Sequence, residues 1–374
     1  MKRVGFILLI ALVFNACSSS SDDGSDLPTG GKDDFNRGEL LVNVADNIII
    51  PAYEDLSTKL NDLEDEKDNF ITTPSEANLV TLREKWLSAY KVWQSVELFN
   101  IGKAEEINYG FQMNIYPTTV EDIESNVSSG TYDLTHPNNN DAVGFPALDY
   151  LLNGLADTDA EILEKYTNAT SGSGYKTYLS DLVIQMNTLT DTVLNDWKNG
   201  FRDTFVASTE NTATSSFNKL ANDFVFYFEK GLRANKVGIP AGVFSTDPLP
   251  TKVEAFYNNE VSKELLVEAL SSVKDFFNGN TYNATTSGIG FSDYLDYLNN
   301  ITEGEDLKTI INSGIDTANA AILNLNASLS EQVETDNKKM TEAYDALQRV
   351  VVLIKVDMLQ AFSVSVDYTD ADGD

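Results

Sequence analysis

The stretch 330–362, SEQVETDNKKMTEAYDALQRVVVLIKVDMLQAF, carries Met340, Ala343, Leu347, Val350, Ile354, Met358 and Phe362 at steps of three and four residues. That spacing lays one apolar stripe along many turns of a helix, with charged residues on the other sides. The same period recurs upstream. In 75–100, Leu79, Leu82, Trp86, Ala89, Tyr90, Trp93 and Val96 share a face, and Thr73-Pro74-Ser75-Glu76 offers a start with proline near the first turn. Segment 40–65 is periodic too, but Pro51 inside it predicts a kink or a split, because proline lacks the N–H and crowds the preceding turn. Further helices are predicted over 178–197, 217–235, 252–277 and 306–325. Strand-like alternation is nearly absent. The chain is therefore expected to be all-α, built of long antiparallel helices.

Two stretches interrupt the pattern. Residues 102–143 are rich in Gly, Pro, Asn and Ser and include His136-Pro137-Asn138-Asn139-Asn140, and a connection of that length is often functional. Residues 237–250 hold Gly238, Pro240, Gly242, Pro248 and Pro250 and join two helices of the second half. Gly144-Phe145-Pro146-Ala147-Leu148-Asp149-Tyr150-Leu151 is echoed by Gly290-Phe291-Ser292-Asp293-Tyr294-Leu295-Asp296-Tyr297-Leu298, each a glycine-led start of a short apolar helix. The expected architecture is two helical bundles, 35–200 and 201–374, the second ending in an acidic tail, as an internal duplication would produce.

The N-terminus bears on location. Lys2 and Arg3 precede an apolar run from Val4 to Phe14 that is too short to span a bilayer, and Asn15-Ala16-Cys17 follows. This resembles a bacterial lipoprotein box, with Phe14 where leucine is commoner. Residues 1–16 are thus expected to be a cleaved leader, Cys17 a lipidated N-terminus, and 17–34, rich in Ser, Asp and Gly, a flexible tether. The acidic patch after Cys17 resembles a surface-export signal, which leaves the periplasmic face of the outer membrane and the cell surface both open. Cys17 is the sole cysteine, so the folded body has no disulfide, thiolate metal site or cysteine nucleophile. A hydrophobic content of 42% with 19 Phe and 16 Tyr is enough for a large core. The net charge of -32, or -34 once Lys2 and Arg3 leave with the leader, argues against nucleic acid as a partner. The acidity fits either a solvated, repulsive surface or a field that concentrates cations.

Several segments, in order, resemble the imelysin family. The run Val44-Ala45-Asp46-Asn47-Ile48-Ile49-Ile50-Pro51-Ala52-Tyr53 is similar to its first helix, and 86–97 to the segment after it. Residues 144–154 stand where the family carries its Gly-x-His-x-x-Glu signature, 288–295 resemble a second patch, and 364–374 resemble its tail. The resemblance implies two helical bundles side by side in an outer-membrane or periplasmic protein linked to iron uptake. Its founding member was classed as an insulin-cleaving metallopeptidase. Here Gly144 keeps the signature glycine, but Pro146 replaces the histidine and Asp149 the glutamate. A proline side chain offers neither a donor nor a lone pair for a metal.

The remaining chemistry is sparse. A zinc hydrolase needs three protein ligands, usually with histidine, and the only histidine is His136 in the loop. Neither His-Glu-x-x-His nor Gly-x-Ser-x-Gly occurs. An all-carboxylate site for iron or calcium remains open, drawn from Glu97, Glu105, Glu106, Asp141 and Asp149. Glu97 stands out, four residues after Trp93 on an apolar face, where a carboxylate needs a partner, Arg233 or a backbone amide, or a pocket walled by Trp93 and Tyr116-Pro117. The expected working surface joins Gly144, Pro146 and Asp149 to Glu97, Trp93 and Tyr116, with no catalytic residue assigned. The favoured function is a membrane-anchored binding component for iron or haem uptake. The alternatives are a carboxylate-only metal-dependent peptidase or metal-binding protein, and a scaffold for an outer-membrane transporter.

Overall fold

Helix α1 shows how the sequence sets the frame. It runs over 37–72 without a break, and Pro51 falls in the first turn after a π-helical stretch at Val44–Ile49. The helix does not split at Pro51 but continues through this widened stretch. The Asn47 carbonyl accepts instead from the Tyr282 N–H at 2.8 Å, so a bond that proline removes from one helix ties it to a distant loop. Asn43 donates to the Gly279 and Ile289 carbonyls beside it, at 3.0 and 3.1 Å.

The computed structural model describes residues 33–302 and 306–368. The leader, Cys17, nearly all of the tether, and tail residues 369–374 lie outside the described residues. Of the tether, Asp33 is described and bonds Arg37 and Tyr294. Among the described residues there is no strand, only an isolated antiparallel bridge between Asn280 and Ser287. The fold is all-α.

The described residues form one compact unit. In the first half, α1 packs along α2 (Glu76–Trp93) and α6 (Gly172–Asp196), and α6 also carries α3 (Val120–Ser129), α4 (144–154) and α5 (Asp159–Thr167). In the second half, α7 (216–238), α8 (Ser262–Phe277), α9 (Phe291–Thr302), α10 (Leu307–Leu323) and α11 (329–361) pack together. The stripe predicted along 340–362 is buried at every position from Met340 to Phe362. One continuous apolar core extends through both halves.

Two departures from the sequence reading matter for the site. The 102–143 connection is not featureless. It holds short helices at Lys103–Glu106 and Tyr109–Met113, and α3 buries Ile123 and Val127. Conversely, 253–261 is not helical, and Lys252 only ends a short 3₁₀ turn, Pro250–Lys252. Ala255 and Asn259 adopt left-handed backbone there, and α8 starts only at Ser262.

The glycines of the internal echo serve a common purpose. A Cβ on Gly144, whose φ is +73°, would collide with the Met113 carbonyl, and one on Gly290 would collide with the Gly279 backbone. Each lets a helix start press against another chain segment. Gly144→Ala should cost roughly 2–3 kcal/mol in urea unfolding, whereas Gly130→Ala, with φ +61° but open space around it, should cost about 1 kcal/mol. Equal losses would show that the close approach at Gly144 contributes nothing.

Candidate functional site

Helix α4 is fixed along its whole length. Phe145 stacks on Tyr90 with centroids 4.4 Å apart, and its carbonyl accepts from Trp86 Nε1 at 3.1 Å. Tyr178 donates to the Ala142 carbonyl at 2.6 Å just before the helix starts. At the other end the Arg83 guanidinium bonds the Leu152 carbonyl at 2.7 Å and Asp159 at 2.7 Å, while Tyr166 donates to the Leu151 carbonyl at 2.8 Å. These bonds satisfy carbonyls that a helix end leaves open. Pro146 sits in the first turn, where its missing N–H costs nothing.

Asp149 is thereby held, fully buried, against the 252–261 loop. Its two oxygens accept the backbone N–H of Tyr257 at 2.8 Å and of Asn258 at 2.9 Å, and Asn153 donates to it at 3.0 Å. Burial pushes its pKa up to about 7, with the Tyr257 and Asn258 amides, Asn153 and Arg83 pulling the other way. Beside it lies a cavity of about 260 Å³ lined by Tyr116, Pro146, Asp149, Val253, Phe256 and Tyr257, among others.

Deeper in, a buried polar group joins the two halves. Lys236, 1% exposed, places its ammonium 2.7 Å from Glu254 and 3.3 Å from Glu97. Asn114 donates to Glu97 at 2.8 Å and to Glu254 at 2.9 Å, and accepts from the Tyr90 hydroxyl at 2.6 Å. Gln94 donates to Glu254 at 3.2 Å and Tyr227 to Glu97 at 3.1 Å. Burial alone would lower the Lys236 pKa, yet Glu254 and Glu97 hold it above the ordinary lysine value. Burial also drives the Tyr90, Tyr116 and Tyr227 hydroxyls well above theirs, with Glu254 and Glu97 adding to it, so these phenols act as neutral groups.

The structure thus distributes the predicted site residues. Tyr116, Pro146 and Asp149 line one cavity, and Gly144 anchors its helix. Trp93 and Glu97 line a separate groove on α2 and α7. The Asn114 group adjoins the groove through Glu97, which lines it and accepts from Asn114. Arg233 is not the partner of Glu97. It bonds Tyr344 and Gln348. His136 is exposed and accepts from the Asn138 N–H at 3.2 Å, capping a single turn. Sequence reasoning missed Lys236, Glu254, Asn114 and the 257–258 amides. Lys236 carried a signal, at four-residue steps from Phe228 and Leu232 on one apolar face. Asn114 and Glu254 lie in irregular segments with no period to betray them.

Among the described residues, no three His, Cys, Asp or Glu side chains converge to hold a metal ion. Asp149 already accepts from three N–H donors, and Pro146 offers no lone pair. These residues do not fit a resident catalytic zinc.

The Asp149 carboxyl has a testable pH signature. The native state holds its proton up to about pH 7, whereas an unfolded aspartate releases it near 3.8. More protons are bound in the folded state across that window. This carboxyl's contribution is therefore complete below 3.8 and lost as pH rises to about 7. The unfolding free energy of the wild type in urea titrations should fall relative to Asp149→Asn between about pH 5 and pH 8, by up to a few kcal/mol. Parallel profiles would contradict the assignment.

The comparisons with known proteins bear on the fold and the family. No curated protein matches the chain. An imelysin-like protein from Psychrobacter arcticum 273-4 superposes with TM-score 0.65 at 18% identity, over 90% of this chain and 99% of that one. A protein assigned the name iron-regulated protein A precursor, from Parabacteroides distasonis ATCC 8503, gives 0.62 at 16% identity, over 85% and 93%. At such identities the likeness is one of fold. The sequence model of the Imelysin family, Peptidase_M75, matches residues 49–354, which include the signature helix and both cavities. The chain belongs to the imelysin family.

Proposed function

We propose that the protein is a binding component of iron acquisition, anchored to the outer membrane by lipid on Cys17, and not a peptidase. The observation that carries this reading is the use made of Asp149. The carboxyl at the signature's glutamate position is spent on the Tyr257 and Asn258 amides, and proline stands at the histidine position. What remains is a cavity without a hydrolytic metal's ligand set among the described residues. The link to iron rests on the family and on the name of the Parabacteroides neighbour. The cavity, about 260 Å³, lies below the roughly 300–1,000 Å³ of pockets that enclose drug-sized molecules. That size favours a small ferric chelate, bringing its own oxygen ligands, over haem.

One observation favours the carboxylate-only peptidase instead. A carboxyl with a pKa of about 7 is poised for general-base work near neutral pH. Titration of the purified protein with ferric citrate, haemin and calcium chloride, beside a casein-cleavage assay with zinc or calcium, separates the two. Saturable binding of ferric citrate without cleavage is the expected result. Metal-dependent cleavage that disappears in Asp149→Ala would overturn it, as would the absence of any ferric binding.

A further inference from the structure

The second cavity, about 230 Å³, is mostly apolar and lies between α2, the 104–115 segment and α7. Its walls include Trp93, Tyr109 and Tyr227, and at its mouth Phe111 and Phe226 are 56% and 46% exposed. Two large aromatic side chains left in solvent around a concave apolar surface mark a place where something binds.

The polar groups of this groove decide what that is. Glu97 has its partners in Lys236, Asn114 and Tyr227. Lys230, the cation in the lining, is ion-paired with Glu229 at 3.2 Å, although its nitrogen makes no well-aligned hydrogen bond among the described residues. Asp223 differs. Among the described residues none donates a hydrogen bond to its carboxyl or pairs with it within salt-bridge distance. Burial pushes its pKa up to about 8, Glu105 and Asp367 repel its charge further, and Lys219 offsets them only in part. An anion would enter beside the Asp223 carboxyl, with Glu105 and Asp367 near it, and would have to draw Lys230 away from Glu229 to gain a counter-charge. A neutral apolar molecule would bury the Asp223 carboxyl still further with nothing to satisfy it. With its pKa raised to about 8, the Asp223 carboxyl of the empty groove keeps its proton at neutral pH; a bound ammonium would take that proton's place, beside aromatic walls that attract positive charge as well.

We propose that this groove binds a small organic cation, a protonated primary amine on an apolar body, with the ammonium against Asp223 and the body among Phe111, Phe226 and Tyr227. The site is separate from the Asp149 cavity, and the proposal stands whether or not the protein handles iron. The protein's strong negative charge adds a field that draws such a ligand in.

Isothermal titration of the full chain with phenethylamine, and with 2-phenylethanol and 3-phenylpropionate as its neutral and anionic counterparts, tests this. The amine should bind saturably at one site, at least tenfold more tightly than the alcohol, and the acid should not bind. Asp223→Asn should reduce the amine to the level of the alcohol. Phe111→Ser, at an exposed position that leaves the fold intact, should weaken amine and alcohol together. Failure of the amine to saturate, equal affinity for amine and alcohol, or unchanged amine binding in Asp223→Asn would overturn the proposal.

Discussion

The carboxyl of Asp149 is the point on which the arrangement of the site depends. It sits on a helix of the first half and accepts two adjacent amides of a loop in the second, at 2.8 and 2.9 Å. An amide withdrawn from water without a partner is costly, so the irregular, partly buried stretch at Tyr257 and Asn258 is held against the first half by this acceptor. The same loop delivers Glu254 to Lys236 and Tyr257 to the cavity wall. One residue therefore couples the signature helix to the buried charge group and to the shape of the cavity.

The Lys236 group has a different energetic character. Two carboxylates and one ammonium withdrawn from water carry a large desolvation penalty, which their mutual attraction and hydrogen bonds from Asn114, Gln94 and Tyr227 offset. Such a group adds little net stability, but removing Lys236 would leave two neighbouring carboxylates without a counter-charge. We read it as fixing how α2 and α7 meet, since a misplaced register would strand a charge in apolar surroundings. Both cavities inherit their geometry from that register.

How much of this was legible in the sequence follows from the range of each interaction. The helix stripes of 340–362 and 79–96 were readable because periodicity is local, and Gly144 and Pro146 were readable as a helix start. The helix Val120–Ser129 was overlooked although Val120, Ile123 and Val127 have helical spacing, because its many polar residues resemble a loop. The helix predicted from 252 failed at its first ten residues, where tertiary hydrogen bonds to Asp149 outweigh local propensity. Glu97 was recognised as needing a partner, but its partners, Asn114, Tyr227 and Lys236, lie 17, 130 and 139 residues away and no spacing rule reaches them. The signature's loss of histidine was plain from the sequence. The new use of its carboxyl was not.

The claim that Asp149 is a clamp and not a reacting group can be measured at the amides it holds. In native-state hydrogen exchange, the Tyr257 and Asn258 amides should be strongly protected in the wild type. They should exchange far faster in Asp149→Ala, while amides in the middle of α6 stay protected. If the 257–258 amides exchange at the same rate in both proteins, the carboxyl does not hold the loop, and its burial needs a catalytic or ligand-binding explanation instead.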